Sequence, residues 1–138
     1  MYQTFFRKSG RKKIKILIAD DHPLMRRSLR KILSEDDDLQ VVAEAINGKE
    51  AVELTRSHSP HVVLMDVNMP EMNGIEASRH IISENASVLI IGISFHESDE
   101  VAQAMIKAGA SSFLTKSKIT QTLCAVVQGV VLASGTNR

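Results

Sequence analysis

HVVLMDVNMPEMNG, residues 61–74, is the stretch on which the fold turns. Val62, Val63, Leu64 and Met65 run without alternation, the pattern of a strand covered on both faces rather than one with a solvent side. The run, His61–Val67, holds a single acid, Asp66, near its end. Gly74–Ser83 then has helical spacing through Ile75, Ile81 and Ile82. Working outward, the same alternation of apolar runs and amphipathic segments repeats. Asn47-Gly48 turns the chain into a helix reaching about Ser57, which Pro60 shuts off. Before it come a strand at Leu39–Ala45 and an acidic loop, Ser34–Asp38. A helix at His22–Leu33 carries Pro23 in its first turn, where a missing N–H costs little, and Leu29, Ile32 and Leu33 on one face. Ile14–Ala19 is the opening strand.

Downstream, Ser87–Ser94 (SVLIIGIS) is another continuous apolar strand. Ser98 caps a helix from Asp99 to Ala108, and Gly109 stops it. Ser111–Thr115 is a short last strand. Ile119–Leu132 is a final helix, with Leu123, Val126, Val127 and Val130 on its stripe. Five strands alternating with five helices, joined by right-handed crossovers, make an α/β protein with a doubly wound parallel sheet.

The totals agree with one domain. The chain has 138 residues, is 43% hydrophobic and 24% charged, and contains no apolar run near 18 residues. Its one cysteine, Cys124, makes no internal disulfide and reads as a small buried hydrophobe, which fits a reducing cytoplasm. The net charge of +1 hides an asymmetry: residues 1–15 carry six basic side chains and no acid, and the rest is net −5. A body of that sign is a poor binder of nucleic acid by itself. Residues 1–12 read as a solvated basic tail or leader, 13–133 as the domain, and 134–138 as a tail or the start of a linker.

In doubly wound folds function sits at the C-terminal strand ends. Those positions hold Asp20 and Asp21 after the first strand, Asp66 on the third, Ser94 ending the fourth and Lys116 following the fifth. Two carboxylates about 5 Å apart repel by roughly 3 kcal/mol at an effective dielectric near 20. One helix cap explains one aspartate, not two. Three carboxylates on one rim suit a hard divalent cation such as Mg2+. A lysine and a hydroxyl beside it suit phosphoryl oxygens. No GxxxxGK[ST] cradle is present, so a nucleotide is not expected. Asp66, alone on the central strand, is the natural carboxylate nucleophile. The five histidines show no HxxxH or Cys/His spacing, which speaks against a transition-metal site; His22, next to the acidic pair, either lines the site mouth or only starts the helix. Met65, Met69 and Met72 read as packing around Asp66.

ADD at 19–21, LMDVNMPEMNG at 64–74, Ser94 in IGIS, GASSF at 109–113 and Lys116 together resemble the receiver domain of two-component response regulators. Order and spacing agree over about residues 13–133. DDHPLMRRSLRKIL and GASSFLTK look most like the NarL/FixJ subfamily, whose members usually carry a LuxR-type helix-turn-helix output domain. The resemblance implies a CheY-like, flavodoxin-like (βα)5 fold with strand order 2-1-3-4-5. It implies Asp66 as phosphoacceptor, with Asp20, Asp21, Asp66 and the Asn68 backbone carbonyl at a Mg2+ site, Mn2+ being an alternative ion. Ser94 matches the switch hydroxyl, Lys116 the phosphoryl-contacting lysine and Phe113 the aromatic rotamer switch. Asn68 and His96 stand where side chains tune phosphate lifetime. Phosphorylation would remodel the face of the fourth helix, fifth strand and fifth helix. The implied partners are a sensor histidine kinase or phosphotransfer protein, a second copy in a homodimer, and DNA only through an output domain outside this chain; no membrane is implied, and the location is cytoplasmic. Such a domain is no metabolic enzyme.

Two departures stand out. Ser117 follows the lysine where many receivers have a proline and a cis peptide, so this bond is either trans or strained. Phe113 replaces tyrosine and removes a hydroxyl. Two other functions compete. A haloacid-dehalogenase-like phosphatase also uses Mg2+ and an aspartate, but places its nucleophile after the first strand in a DxD pattern that Asp21-His22-Pro23 lacks. A receiver-like module that no longer accepts phosphate would not need all five site residues.

Overall fold

The computed structural model describes residues 13–135; the basic tail expected at 1–12 and the end of the 134–138 segment lie outside them. Among these residues are five strands and five helices: β1 Ile14–Ala19, α1 Pro23–Ser34, β2 Leu39–Ala45, α2 Gly48–His58, β3 Val62–Asp66, α3 Gly74–Glu84, β4 Leu89–Ser94, α4 Asp99–Lys107, β5 Ser112–Thr115 and α5 Ile119–Ser134. A 3-10 turn, Lys116–Lys118, leads into α5. The strands are all parallel, in the expected order β2-β1-β3-β4-β5.

The unalternating strand runs have a direct cause. Successive side chains point to opposite faces, and both faces are covered. Leu17, Val63, Met65 and Ile90 pack with Ala51, Val52, Ala77, Ile81 and Met105 from α2, α3 and α4. Ile16, Ile18, Val62, Leu64, Ile91 and Ile93 pack on the opposite side with Leu29, Leu33, Leu123 and Val127 from α1 and α5. Gly92 has no side chain because a Cβ there would lie 2.8 Å from Met105 Cε and 2.9 Å from Phe113 Cδ1.

Polar side chains set the helix starts. Asn47, Asn73 and Ser98 accept hydrogen bonds from the backbone N–H of Glu50, Glu76 and Val101. Asn73→Ala is expected to cost about 1 kcal/mol in urea unfolding, since no other group caps Glu76 in the same way.

Some expectations need correction. On α5 the buried residues are Ile119, Leu123, Val127 and Val131, whereas Val126 and Val130 are only partly buried. Ten of the sixteen residues of this helix are apolar, with valine pairs at 126–127 and 130–131, so the stripe was ambiguous by one residue. Cys124 is half-buried, its Sγ 3.6 Å from the Ile32 carbonyl, and burial raises its thiol pKa. The acidic loop is tied to α5: Gln128 Nε2 donates to Asp36 and Asp38. β2 contains a bulge, an extra residue at Val42 between the pairs Ile16–Val41 and Leu17–Ala43. No peptide bond among the described residues is cis, so Lys116–Ser117 is trans.

Candidate functional site

β1 and β3 are neighbours, yet the chain leaves β1 for β2 on one side and reaches β4 from β3 on the other. That reversal opens a crevice at their C-terminal ends. Asp20 follows β1 and Asp66 ends β3, so backbone pairing alone places two acids at one point. Asp20 is 1% exposed and Asp66 3%, with Lys116 nearly as buried. Lys116 Nζ lies 2.9 Å from Asp20 Oδ2 and 3.6 Å from Asp66 Oδ1. The shorter approach lies off the hydrogen-bonding direction: Asp20 Oδ2, Asp21 Oδ1, Asp66 Oδ2 and Lys116 Nζ are all buried without a hydrogen-bond partner. Orphaned buried oxygens of this kind call for an ion or water.

Electrostatics follow from the crowding. Burial pushes the Asp66 carboxyl up to about 6, and the neighbouring charge of Asp20 adds to it. The Lys116 ammonium and the Asn68 backbone N–H pull the other way without cancelling the rise.

The loop after β3 is held at both ends. The Gly74 N–H donates to the Val67 carbonyl at 2.8 Å, and the Gly48 N–H to the Met72 carbonyl at 2.9 Å. A Cβ at Gly74 would collide with the backbone carbonyl of Asp66, and one at Gly48 with that of Met72. Glu71, between the two clamps, takes a left-handed φ of 64°, a conformation that costs a non-glycine residue about 1–2 kcal/mol.

Asp20, Asp21, Asp66 and Lys116 thus come together as anticipated. Ser94 is buried at the end of β4, pairs with Thr115 beside Lys116, and its Oγ accepts from the His96 N–H at 3.3 Å. Asn68 and His96 are exposed on the rim. Phe113 is not at the rim: it pairs with Gly92 inside the sheet and packs towards α4.

Two of the contacts at this rim, those of Phe95 and Arg26, escaped the sequence, and a third puts His22 at the site mouth. Phe95, 59% exposed, lies with its ring centroid 4.1 Å from Lys116 Nζ, a cation–π distance. The His22 ring meets Phe95 edge-on at 5.9 Å, and its Nδ1 is 3.0 Å from Asp20 Oδ1 and 3.1 Å from Asp21 Oδ1. Arg26 Nη1 donates to the Asp20 carbonyl at 2.9 Å while its Nε reaches Glu44 on β2, fixing the first acid from behind. A basic residue one helical turn into α1 was the available signal for Arg26; Phe95 gave none. Donor atoms of Asp20, Asp21, His22 and Asp66 lie within 4.8 Å of one another, a group able to hold a metal ion.

The family model of the response regulator receiver domain matches residues 16–128, and the chain belongs to that family: it is a signalling receiver of the two-component type. It is 38% identical over 123 residues to the transcriptional regulatory protein DegU of Brevibacillus brevis, covering 89% of this chain and 51% of that protein. A LuxR-family two-component response regulator from Aurantimonas sp. SI85-9A1 matches with TM-score 0.84 and 32% identity, over 88% of this chain and 87% of that one. The response regulator domain of Thermotoga maritima CheB gives TM-score 0.80 and 30% identity, over 92% of this chain and all of that one. The chain spans about half the length of the curated regulators DegU, GacA and UvrY that it matches. No helix among the described residues is long and apolar enough to cross a membrane.

Proposed function

We propose that this receiver takes a phosphoryl group onto Asp66 from a phosphohistidine of a sensor kinase or phosphotransfer protein, or from a small phosphodonor. The carrying observation is Asp66 itself. Its Oδ2 is buried without a hydrogen-bond partner, its carboxyl is raised to about 6, and an ammonium stands 3.6 Å from its other oxygen. Such a carboxylate is ionised at neutral pH yet poorly solvated, which makes it a capable nucleophile.

The orphaned oxygens of Asp20, Asp21 and Asp66 are hard donors and fit Mg2+, with Mn2+ accepted by the same set. Asp21 and Asp66, with the Asn68 backbone carbonyl, would hold the ion, and Asp20 would act largely through water. When bound, the ion supplies positive charge against the phosphoryl oxygens. Asp66 forms its O–P bond as the N–P bond of the donor breaks, and the bonding pair leaves on the imidazole nitrogen. Lys116, already desolvated, pairs with a phosphoryl oxygen. Ser94 supplies a hydroxyl from the end of β4. Asn68 and His96 on the rim govern water access to the acyl phosphate, and so its lifetime. Phe113, between Gly92 and α4, couples the event to the face of α4, β5 and α5.

The likeness to DegU supports transcriptional control, through a DNA-binding output domain, as the downstream effect, and a cytoplasmic location. Residues 13–133 form the receiver in this reading. A stand-alone receiver acting by protein contact is the second reading, favoured by the exposed Ile106 on α4. A phosphatase of the dehalogenase type is disfavoured because Asp21 and Asp66 each lack a partner acid two residues on. Incubation with Mg2+ and beryllofluoride or acetyl phosphate tests the proposal. A spectral or mass change is expected in the wild-type chain and none in Asp66→Ala; no change in either would leave only the interaction module.

A further inference from the structure

Phe95 has no place in the proposed phosphoryl transfer, yet it is wedged into the mouth of the site. It is the first residue after β4 and stands 59% exposed, a setting in which a lone apolar side chain is ordinary and needs no function. Its contacts are more specific than that. The Lys116 ammonium lies over the ring face, with Nζ 4.1 Å from the centroid. The His22 ring meets Phe95 at 5.9 Å between centroids and 77° between planes. His22 is itself tied to the first acid: its backbone N–H donates to Asp20 Oδ1 at 2.9 Å, and its Nδ1 lies 3.0 Å from the same oxygen. Phe95 thus links the residues that follow β1 and β5 across the crevice.

Lys116 needs such a neighbour. Its side chain is 3% exposed and Nζ has no hydrogen-bond partner, so the ammonium has left water without gaining acceptors for its three N–H groups. What holds it is charge: Asp20 Oδ2 at 2.9 Å, Asp66 Oδ1 at 3.6 Å and the negative face of the Phe95 ring. The two carboxylates are also the groups that the proposed ion and the phosphoryl transfer claim. Of the three, only the ring takes part in neither.

We propose that Phe95 is a positioning residue for the transfer: its ring face keeps the Lys116 ammonium desolvated at the mouth of the site, so that Nζ meets the incoming phosphoryl oxygens without first swinging out to water. The inference rests on the phosphoacceptor reading of Asp66 and adds to it the group that aims the lysine. A lysine carries its charge on a flexible four-carbon stem and turns its head to solvent wherever nothing retains it. A cation–π contact retains it best where the ammonium is dry, as here. The His22 edge, anchored on Asp20, keeps the ring face turned to Lys116. Phe95 acts only through Lys116; it touches no bond that forms or breaks.

The test compares the wild-type chain with Phe95→Leu, which keeps an apolar side chain but no ring, and Phe95→Tyr, which keeps the ring face. The ring is more than half exposed, so both variants should fold. Nuclear magnetic resonance of the metal-free protein reads the contact directly: the Lys116 side-chain protons, identified as the signals missing from Lys116→Arg, should be shifted upfield by the ring current in the wild type and in Phe95→Tyr, and not in Phe95→Leu. With Mg2+ and acetyl phosphate, the limiting phosphorylation rate of Phe95→Leu should fall about fivefold or more, the rate equivalent of about 1 kcal/mol of lost cation–π attraction. The half-saturating acetyl phosphate concentration should change less than twofold, and Phe95→Tyr should restore the rate. An unshifted Lys116 signal in the wild type, or an undiminished rate in Phe95→Leu, overturns the positioning role and leaves Phe95 a surface side chain. A wild-type chain that shows the ring-current shift but takes no phosphoryl group sinks the phosphoacceptor reading itself, and the role of Phe95 in transfer with it.

Discussion

Asp66→Asn is expected to abolish phosphorylation and, in metal-free protein above pH 7, to raise folding stability by about 3 kcal/mol. The two effects have one origin. The Asp66 carboxyl titrates near 3.8 when the chain is unfolded and near 6 when folded, because burial and the Asp20 charge disfavour its ionised form. Between those values the native state binds more protons than the unfolded state, so stability falls as pH rises. Below about 3.8 the group is protonated in both states and costs nothing; above about 6 the whole cost is present. Asparagine has nearly the same shape and no charge, and Lys116 keeps Asp20 as a partner at 2.9 Å. The stabilisation should therefore be near zero at pH 3.5 and complete by about pH 7, as read from urea unfolding with chelator present. A variant less stable than wild type at pH 8 would mean that the Lys116–Asp66 attraction outweighs desolvation.

Gly74→Ala should produce the second large effect: a loss of about 3 kcal/mol or more of stability, with slower phosphorylation although no charged residue is touched. The added methyl meets the Asp66 carbonyl, a backbone atom that cannot swing aside as a side chain would. Relief requires either α3 to retreat, losing the Gly74-to-Val67 hydrogen bond, or the end of β3 to shift, carrying Asp66 with it. Gly129→Ala is the matched control. It lies in α5, where an added methyl would have nothing within 4 Å, and should gain up to about 1 kcal/mol from helix propensity. Thermal melts of the two variants, run side by side, separate close approach from propensity. Equal shifts would remove the clamp from the account of the site.

What the sequence disclosed and what it withheld divide along physical lines. The third and fourth strands were legible because burial on both faces leaves an apolar run that nothing polar interrupts. Asp20, Asp66 and Lys116 were legible because parallel topology brings strand ends together whatever the side-chain details. The contacts of Phe95 and Arg26 were not, since they depend on rotamers and on loop paths a few ångströms wide; His22 was legible only as a neighbour of the acid pair. The same limit applies to Gln128, which meets Asp36 and Asp38 from about ninety positions away. The stripe of α5 slipped for the opposite reason: with valine and leucine at nearly every turn, periodicity has little contrast.

Lys116 also bears on the order in which the chain would fold and take up the proposed ion. Its ammonium already stands among Asp20 and Asp66, supplying the positive charge without which that corner would repel itself. A zinc finger must capture its metal in order to fold; here a covalently tethered cation would let the chain reach its native state first. On the proposed function, metal supply would then govern readiness to react rather than survival of the fold.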